Sequence, residues 1–137
     1  MTETTQIITR EGFVEDRFAG TNIPTLEEYT GGGAVLLPVD ANPSALEPHL
    51  STLALVVIPF ASSADGRGFS HAAALRTLGF KGHVRARGHV LVDQFRAALR
   101  AGFDDVEISA AQAARNPEAQ WLAVPHDTCY QTRLFAA

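Results

Sequence analysis

Two neighbouring runs of sequence decide the fold: the apolar run Leu53-Ala54-Leu55-Val56-Val57-Ile58 and the turn Asp65-Gly66-Arg67-Gly68-Phe69-Ser70. The first run is apolar without alternation, which is typical of a β-strand that is covered on both faces. The stretch from about Ser70 to Leu78 predicts a helix, because Gly79 suits a left-handed helix cap and Phe80 can pack back on the last turn. The chain therefore contains a strand–turn–helix unit.

Similar units flank this one. The sequence predicts strands over residues 34–37, 83–87, 106–108 and 121–124, helices over 90–100 and 110–115, and a loop or short helix over 42–50. Consecutive βα units favour a mostly parallel sheet with right-handed crossovers. The fold class is therefore α/β. The pattern leaves two arrangements open, an open layered sheet and a barrel-like array.

The N-terminal residues predict a different element. Residues Gln6 to Phe18 have the pattern of a small β-hairpin, because Ile7-Ile8 and Phe13-Val14 flank a turn at Gly12. We expect a single α/β domain over the 137 residues. It divides into an N-terminal hairpin and connector (1–30), a βα core (31–124) and a tail (125–137).

Composition narrows the functional classes. The chain is 46% hydrophobic and 19% charged, which is enough apolar material for a core. No apolar run approaches the roughly 20 residues of a membrane span. Because no signal-peptide pattern occurs at the N-terminus, we expect a cytoplasmic protein. The single cysteine, Cys129, excludes an internal disulfide or a cysteine-rich metal site within one chain.

The charges are unevenly distributed, although the net charge is -4. Residues 66–100 contain seven arginine or lysine residues and one acidic residue, Asp93. Clustered arginine suits a small anion or an acidic partner surface, whereas the alternative is a set of solvated helix and strand faces. Nucleic acid is disfavoured, because the chain is acidic overall and no aromatic–basic interleaving occurs.

The turn after the apolar strand is a candidate anion site. Ligands of α/β sheets favour the carboxyl ends of the strands, and the amides that open a helix attract anions. Gly66 and Gly68 are expected to adopt positive φ and allow close approach, Arg67 to supply a forked donor, and Ser70 to cap the helix or bind the ligand. The structural alternative is an ordinary strand-to-helix connection. The spacing matches neither a Walker A loop nor a dinucleotide fingerprint.

Two further positions are candidates for the same site. Arg85 alternates with Arg87 along one predicted strand, so both point to one face and Arg85 can join the site at the strand end. The alternative places both arginines in solvent at a sheet edge. Asp93 opens the next helix and, with Asp65, is a candidate for moving a proton; alternatively it complements the helix dipole and pairs with Arg96.

The remaining reactive side chains give no pattern. The five histidines are scattered without a metal-binding spacing, so we expect no metal site. His126, Asp127 and Cys129 lie close in sequence near the C-terminus, but nothing orients them as a nucleophile group.

Several short motifs occur in a characteristic order from Asp65 to Ile108. They are the Asp65–Ser70 turn, Leu75-Arg76, Gly79-Phe80-Lys81-Gly82, Arg85-Ala86, Asp93-Gln94 and Gly102-Phe103-Asp104, preceded by Glu15-Asp16-Arg17-Phe18 as an opening strand. With these motifs the chain resembles the bacterial DUF934 family, a family of unknown function that is commonly labelled an oxidoreductase probably involved in sulfite reduction.

The resemblance implies a context rather than an activity. It suggests an accessory or interaction protein of assimilatory sulfite reduction, whose partner is sulfite reductase or another sulfur-assimilation enzyme and whose basic site binds an acidic surface or a small oxyanion. The alternative is a small oxidoreductase-type enzyme, with Arg67 and Arg85 clamping a sulfur oxyanion and Asp65 or Asp93 moving a proton. No cofactor motif is identifiable. A third hypothesis is a structural domain that binds no ligand. The sequence does not determine the oligomeric state.

Overall fold

The computed structural model describes residues 5–60, 66–88 and 90–122. Within these residues, six strands form one sheet: β1 (Thr5–Thr9), β2 (Gly12–Val14), β3 (Ala34–Leu36), β4 (Leu55–Phe60), β5 (His83–Gly88) and β6 (Asp105–Ser109). The helices are α1 (Arg67–Thr77), α2 (Val92–Ala101), α3 (Ala110–Arg115) and α4 (Glu118–Leu122), with short 3-10 helices at Leu26–Glu28 and Pro43–His49.

The sheet is open and mostly parallel. Its strand order is β2-β1-β6-β5-β4-β3, in which β3 to β6 are parallel neighbours and β1 pairs antiparallel with both β2 and β6. The predicted α/β class with an N-terminal hairpin is therefore confirmed. The hairpin extends the sheet through β6, and the linear order selects the open arrangement over the barrel-like one.

The parallel strands follow one another in sequence order, and this places the helices on one face. Right-handed crossovers that always step in the same direction keep returning on the same side of a sheet. Accordingly, apolar residues of α1, α2 and α4 pack with inward-facing residues of β4, β5 and β6 in one large core. We call this side the helical face. Phe95 and Trp121 pack edge to face within this core, with ring centroids 5.3 Å apart.

The opposite side of the sheet has no described helix packed on its core, and we call it the helix-free face. A smaller apolar cluster lies there, in which Phe18 and Ile23 pack against Leu55 and Val57. The connector after β2 therefore covers part of this face. It also joins the sheet edge, because the Leu36 amide donates to the Pro24 carbonyl over 2.8 Å.

Two helices end as the sequence predicts. Gly79 has φ +100° and Gly102 has φ +120°. The residue after each glycine is a phenylalanine whose amide donates back to the helix. The Phe80 amide donates to the Leu75 carbonyl and the Phe103 amide to the Ala98 carbonyl, and each bond closes a Schellman motif. Both rings are buried. The glycine and the phenylalanine thus act together to stop the helix and turn the chain into the next strand.

Three local predictions were wrong. Helix α1 begins at Arg67 rather than near Ser70. Glu15-Asp16-Arg17-Phe18 follows β2 and is not a strand. Trp121 and Leu122 end helix α4, so a strand over residues 121–124 does not form there; residues 123 and 124 lie outside the described part. The apolar Trp121-Leu122 pair was mistaken for a strand because short apolar runs do not distinguish the two structures.

No helix among the described residues combines the length and the apolar character needed to cross a membrane.

Close packing of α1 on the sheet depends on Gly68. A Cβ atom at Gly68 would lie 2.4 Å from Cζ of Phe60, whereas a Cβ atom at Gly66 would meet nothing within 4 Å. We expect Gly68→Ala to lower the free energy of unfolding by about 1–3 kcal/mol, because the Phe60 ring must shift. Gly66→Ala is the matched control and should change it by less than about 1 kcal/mol. Urea unfolding measures both, and equal effects would contradict the packing role of Gly68.

Candidate functional site

The predicted anion-binding turn lies at the start of α1. Gly66 precedes the helix with φ -84° and ψ -1°, and Gly68 lies inside it. Neither glycine has positive φ, so the expected left-handed geometry was wrong at both positions. Gly68 is buried against Phe60 instead of opening the backbone to a ligand. Asp65 lies outside the described residues.

The exposed groups at this helix start are Gly66, Arg67 and Ser70. Ser70 is the fourth residue of α1 and therefore does not cap it; Gly66 takes the cap position without a side-chain hydrogen bond. Arg67 and Ser70 are three residues apart, so they lie on the same side of the helix. The first turn of α1 contains no acidic residue, which leaves the helix dipole and the Arg67 charge acting in the same direction.

Asp93 lies at the same edge of the sheet, because α1 and α2 both start beyond the carboxyl ends of parallel strands. It is exposed in the first turn of α2, where a carboxylate complements the helix dipole. It lines an open cleft of about 460 Å³ together with Leu91, Val92, Asn116 and Gln120. Leu91 is half exposed there.

Arg85 does not join this group. It lies in the middle of β5, opposite Val57 and Asp105, and its side chain is on the helix-free face, whereas α1 packs on the helical face. The side chain is 1% exposed and is surrounded by carboxylates. The sequence pattern correctly indicates that Arg85 and Arg87 share a face, but it does not indicate which face.

Arg85 is instead the centre of a buried ionic network. Its Nε donates to Asp105 Oδ1 over 2.9 Å and its Nη2 to Asp105 Oδ2 over 3.1 Å, which is a bidentate pair. Its Nη1 lies 2.9 Å from Asp16 Oδ1 and 3.8 Å from Glu107 Oε1. Arg87 extends the network by donating to Glu107 over 3.2 Å. The network therefore joins β5 to β6 and to the segment after β2.

His83 completes the network at the amino end of β5. Its Nε2 lies 2.8 Å from Asp105 Oδ2, and its Nδ1 lies 4.0 Å from Asp104 Oδ2. The Phe18 ring packs edge-on against His83 with centroids 5.0 Å apart, and the Arg85 guanidinium lies 5.5 Å from the Phe18 centroid. Phe18 thus covers both the imidazole and the arginine.

These contacts change how the buried groups titrate. Burial alone would raise the pKa of Asp105, but hydrogen bonds and positive charge from His83 and Arg85 hold this pKa below its ordinary value. Burial likewise disfavours the Arg85 charge. The carboxylates of Asp105 and Asp16 outweigh that effect, so the pKa of Arg85 lies above its ordinary value. The ion pair is therefore the stable form.

A second arginine, Arg76, joins the ends of two helices to the sheet. It donates to the carbonyls of Phe80, Gly82 and Gly102 over 2.8–3.0 Å. It also donates to Asp104 Oδ2 over 2.8 Å. The motif residues around Leu75-Arg76 and Gly102-Phe103-Asp104 therefore meet in space, and their contacts are structural. Arg76 offsets the partial negative charge at the helix ends.

Two open clefts lie on either side of Asp104 at the amino edge of the parallel strands. The first has a volume of about 450 Å³ and is lined by Arg10, Arg76, Leu99, Gly102, Phe103 and Asp104. The second has a volume of about 360 Å³ and is lined by Arg17, Phe18, Ala54, Lys81, Gly82, His83 and Asp104. Most of the basic residues that line these clefts lie far from Arg67 in the fold, at the opposite edge of the sheet.

Sequence reasoning missed the acidic half of the network. Asp105 and Glu107 alternate along β6, and Arg85 and Arg87 alternate along β5 in the matching register. Opposite charges at period two on two consecutive strands were the available signal. Asp16 carried no such signal, because its contact with Arg85 joins residues that are about half the chain apart. Within the described residues, no group of three or more His, Cys, Asp or Glu side chains is arranged to hold a metal ion.

Comparison with known proteins supports the resemblance at the level of the family. The model of the family described as "Bacterial protein of unknown function (DUF934)" matches residues 34–136. The chain belongs to the DUF934 family. No curated protein and no solved structure matches it. The matched range includes the turn at α1, the Arg85–Asp105 pair and the Arg76 contacts, whereas Asp16 and Phe18 precede it.

The Asp105 pair predicts a pH dependence of stability in this DUF934 protein. The pKa of Asp105 is lower in the folded than in the unfolded chain, so its contribution is present above the unfolded pKa and is lost as pH falls through the folded pKa. We expect the stability difference between the native chain and Asp105→Asn to shrink from neutral pH to about pH 3. Urea unfolding across this range measures it, and a difference independent of pH would contradict the pairing.

Proposed function

We propose that this DUF934 protein is an accessory protein of assimilatory sulfite reduction. In this proposal it binds an acidic surface of sulfite reductase or of another sulfur-assimilation enzyme through the exposed start of α1. The pathway comes from the label commonly attached to the family, and the contact surface comes from the geometry of Gly66, Arg67 and Ser70.

One observation carries the proposed contact: the exposed Arg67 is the first residue of an eleven-residue helix whose first turn contains no acidic residue. The first turns of α2 and α4 each contain an acidic residue, Asp93 and Glu118. The positive end of the α1 dipole is therefore reinforced by a cation, whereas those of α2 and α4 are opposed by a carboxylate; the six-residue α3 also has no acidic residue in its first turn. An acidic partner surface would be attracted to the start of α1.

A small enzyme acting on a sulfur oxyanion is the second candidate. The observation in its favour is the exposed Asp93 beside a cleft of about 460 Å³ at the same sheet edge as Arg67. In this candidate Arg67 binds the anion and Asp93 moves a proton. Arg85 takes no part, because it is buried in the network on the helix-free face.

Charge reversal at Arg67 tests the partner contact. Tagged protein is used to capture partners from cells of the source organism grown with sulfate as the only sulfur source. We expect the native chain to recover a sulfur-assimilation enzyme, and Arg67→Glu to recover about tenfold less of it, because a like charge replaces an attractive one. Arg115→Glu is the matched control, since Arg115 is also exposed and also lies on a helix.

Two results would contradict this proposal. One is the recovery of no sulfur-assimilation enzyme by the native chain, and the other is equal loss with both variants. Asp93→Asn separates the two candidates, because it should lower sulfate-dependent growth only if the protein is the enzyme described above.

A further inference from the structure

The cleft of about 360 Å³ at the amino edge of the parallel strands contains polar groups that the structural contacts leave available. It lies between the segment after β2, which provides Arg17 and Phe18, and the start of β5, which provides Lys81, Gly82 and His83. Its volume falls within the range of small-molecule sites. It is also separate from the start of α1, which lies at the other edge of the sheet.

Two exposed cations line this cleft, Arg17 and Lys81. Arg76, Arg85 and Arg87 each form an ion pair with a carboxylate, whereas no described carboxylate pairs with Arg17 or Lys81. Arg17 is held by its ring neighbour, because its guanidinium lies 5.3 Å from the Phe18 centroid. The two cations therefore face the cleft with charge that no described ion pair offsets.

His83 provides an oriented imidazole in the same cleft. Its Nε2 is held by the buried carboxylate of Asp105 at 2.8 Å, which fixes the ring and places a proton on that nitrogen. Its Nδ1 is 4.0 Å from Asp104 Oδ2, which is beyond a direct hydrogen bond. Nδ1 is therefore available to a ligand oxygen, to which it donates when it carries a proton.

The acidic groups near the cleft are already engaged. Asp104 Oδ2 accepts hydrogen bonds from Arg76 at 2.8 Å and from the Val84 amide at 2.9 Å. Asp105 is 2% exposed and is paired with Arg85 and His83, and Asp16 is paired with Arg85. The carbonyls at the nearby helix ends are bound by Arg76. The cleft is therefore lined by two cations, by His83 and by one carboxylate, that of Asp104, whose charge is offset by its ion pair with Arg76.

We propose that this cleft is a binding site for an oxyanion group of the phosphate or sulfate type, either as the free ion or carried on a small molecule. Arg17 and Lys81 supply the charge, and the Nδ1 atom of His83 supplies a hydrogen bond in its protonated form. Asp105 acts as a positioning residue, since it holds the imidazole without reaching the ligand. This inference does not depend on the proposed partner contact at α1.

A titration followed by amide and imidazole resonances tests the site on the full chain. The probes are sodium sulfate, sodium phosphate and adenosine 5′-monophosphate, each compared with sodium chloride at equal ionic strength. We expect saturable shifts confined to Phe18, Gly82, His83 and Asp104 with at least one probe. Tighter binding of the nucleotide than of phosphate indicates a carried group, and equal binding indicates the free ion; both results support the site.

Substitutions then assign the contacts. We expect the double variant Arg17→Gln/Lys81→Gln to weaken binding by about tenfold or more, because two cationic donors are lost. His83→Gln should weaken it as well, and the exposed double variant remains informative if His83→Gln fails to fold. Arg115→Gln, which removes a charge elsewhere, should bind like the native chain. The site is overturned by shifts that do not saturate with any probe, by shifts that lie elsewhere, or by native-like binding of the double variant.

Discussion

The bidentate ion pair between Arg85 and Asp105 is the contact on which the helix-free face of the sheet depends. It joins two neighbouring parallel strands, and its remaining donor holds Asp16 at 2.9 Å. Burial of a guanidinium costs free energy unless acceptors bind its N–H groups and other side chains pack against it. Here the carboxylates bind the guanidinium and Phe18 packs over it, so one arginine contacts both Asp16 and Phe18 of the N-terminal segment.

The strand order explains why the two edges of the sheet have different properties. Because β3 to β6 follow in order without reversal, the described crossover helices return on one face, and the described part of the sheet has no switch point that would create a central crevice. Helix starts collect at one edge, and helix ends collect at the other. Arg67 lies at the first edge, whereas Arg76 and Lys81 lie at the second. The basic segment of the sequence is thus divided between two surfaces.

The sequence predicted the helical face of the sheet better than the helix-free face, where the ionic network lies. Local signals were sufficient for the ends of α1 and α2, since Gly79 and Gly102 have positive φ and stop the two helices. The alternating charges of β5 and β6 were a signal for the pair of Arg85 with Asp105, whereas the contact of Arg85 with Asp16 had no local signal. The sequence predicted that Gly68 provides a flexible backbone for a ligand. In the structure Gly68 instead makes room for the Phe60 ring, a neighbour that only the packing of α1 on the sheet brings close. The features that the sequence did not predict depend on contacts between distant residues rather than on local propensity.

Arg85 holds the N-terminal segment through Asp16, and a double-mutant cycle measures how strongly the two side chains are coupled. The free energy of unfolding is measured for Asp16→Ala, Arg85→Met, the double variant and the native chain. A coupling energy of at least about 1 kcal/mol is predicted, because the two side chains share one short ionic contact. Effects of the two substitutions that add to within about 0.3 kcal/mol would show that Arg85 does not hold the segment through Asp16.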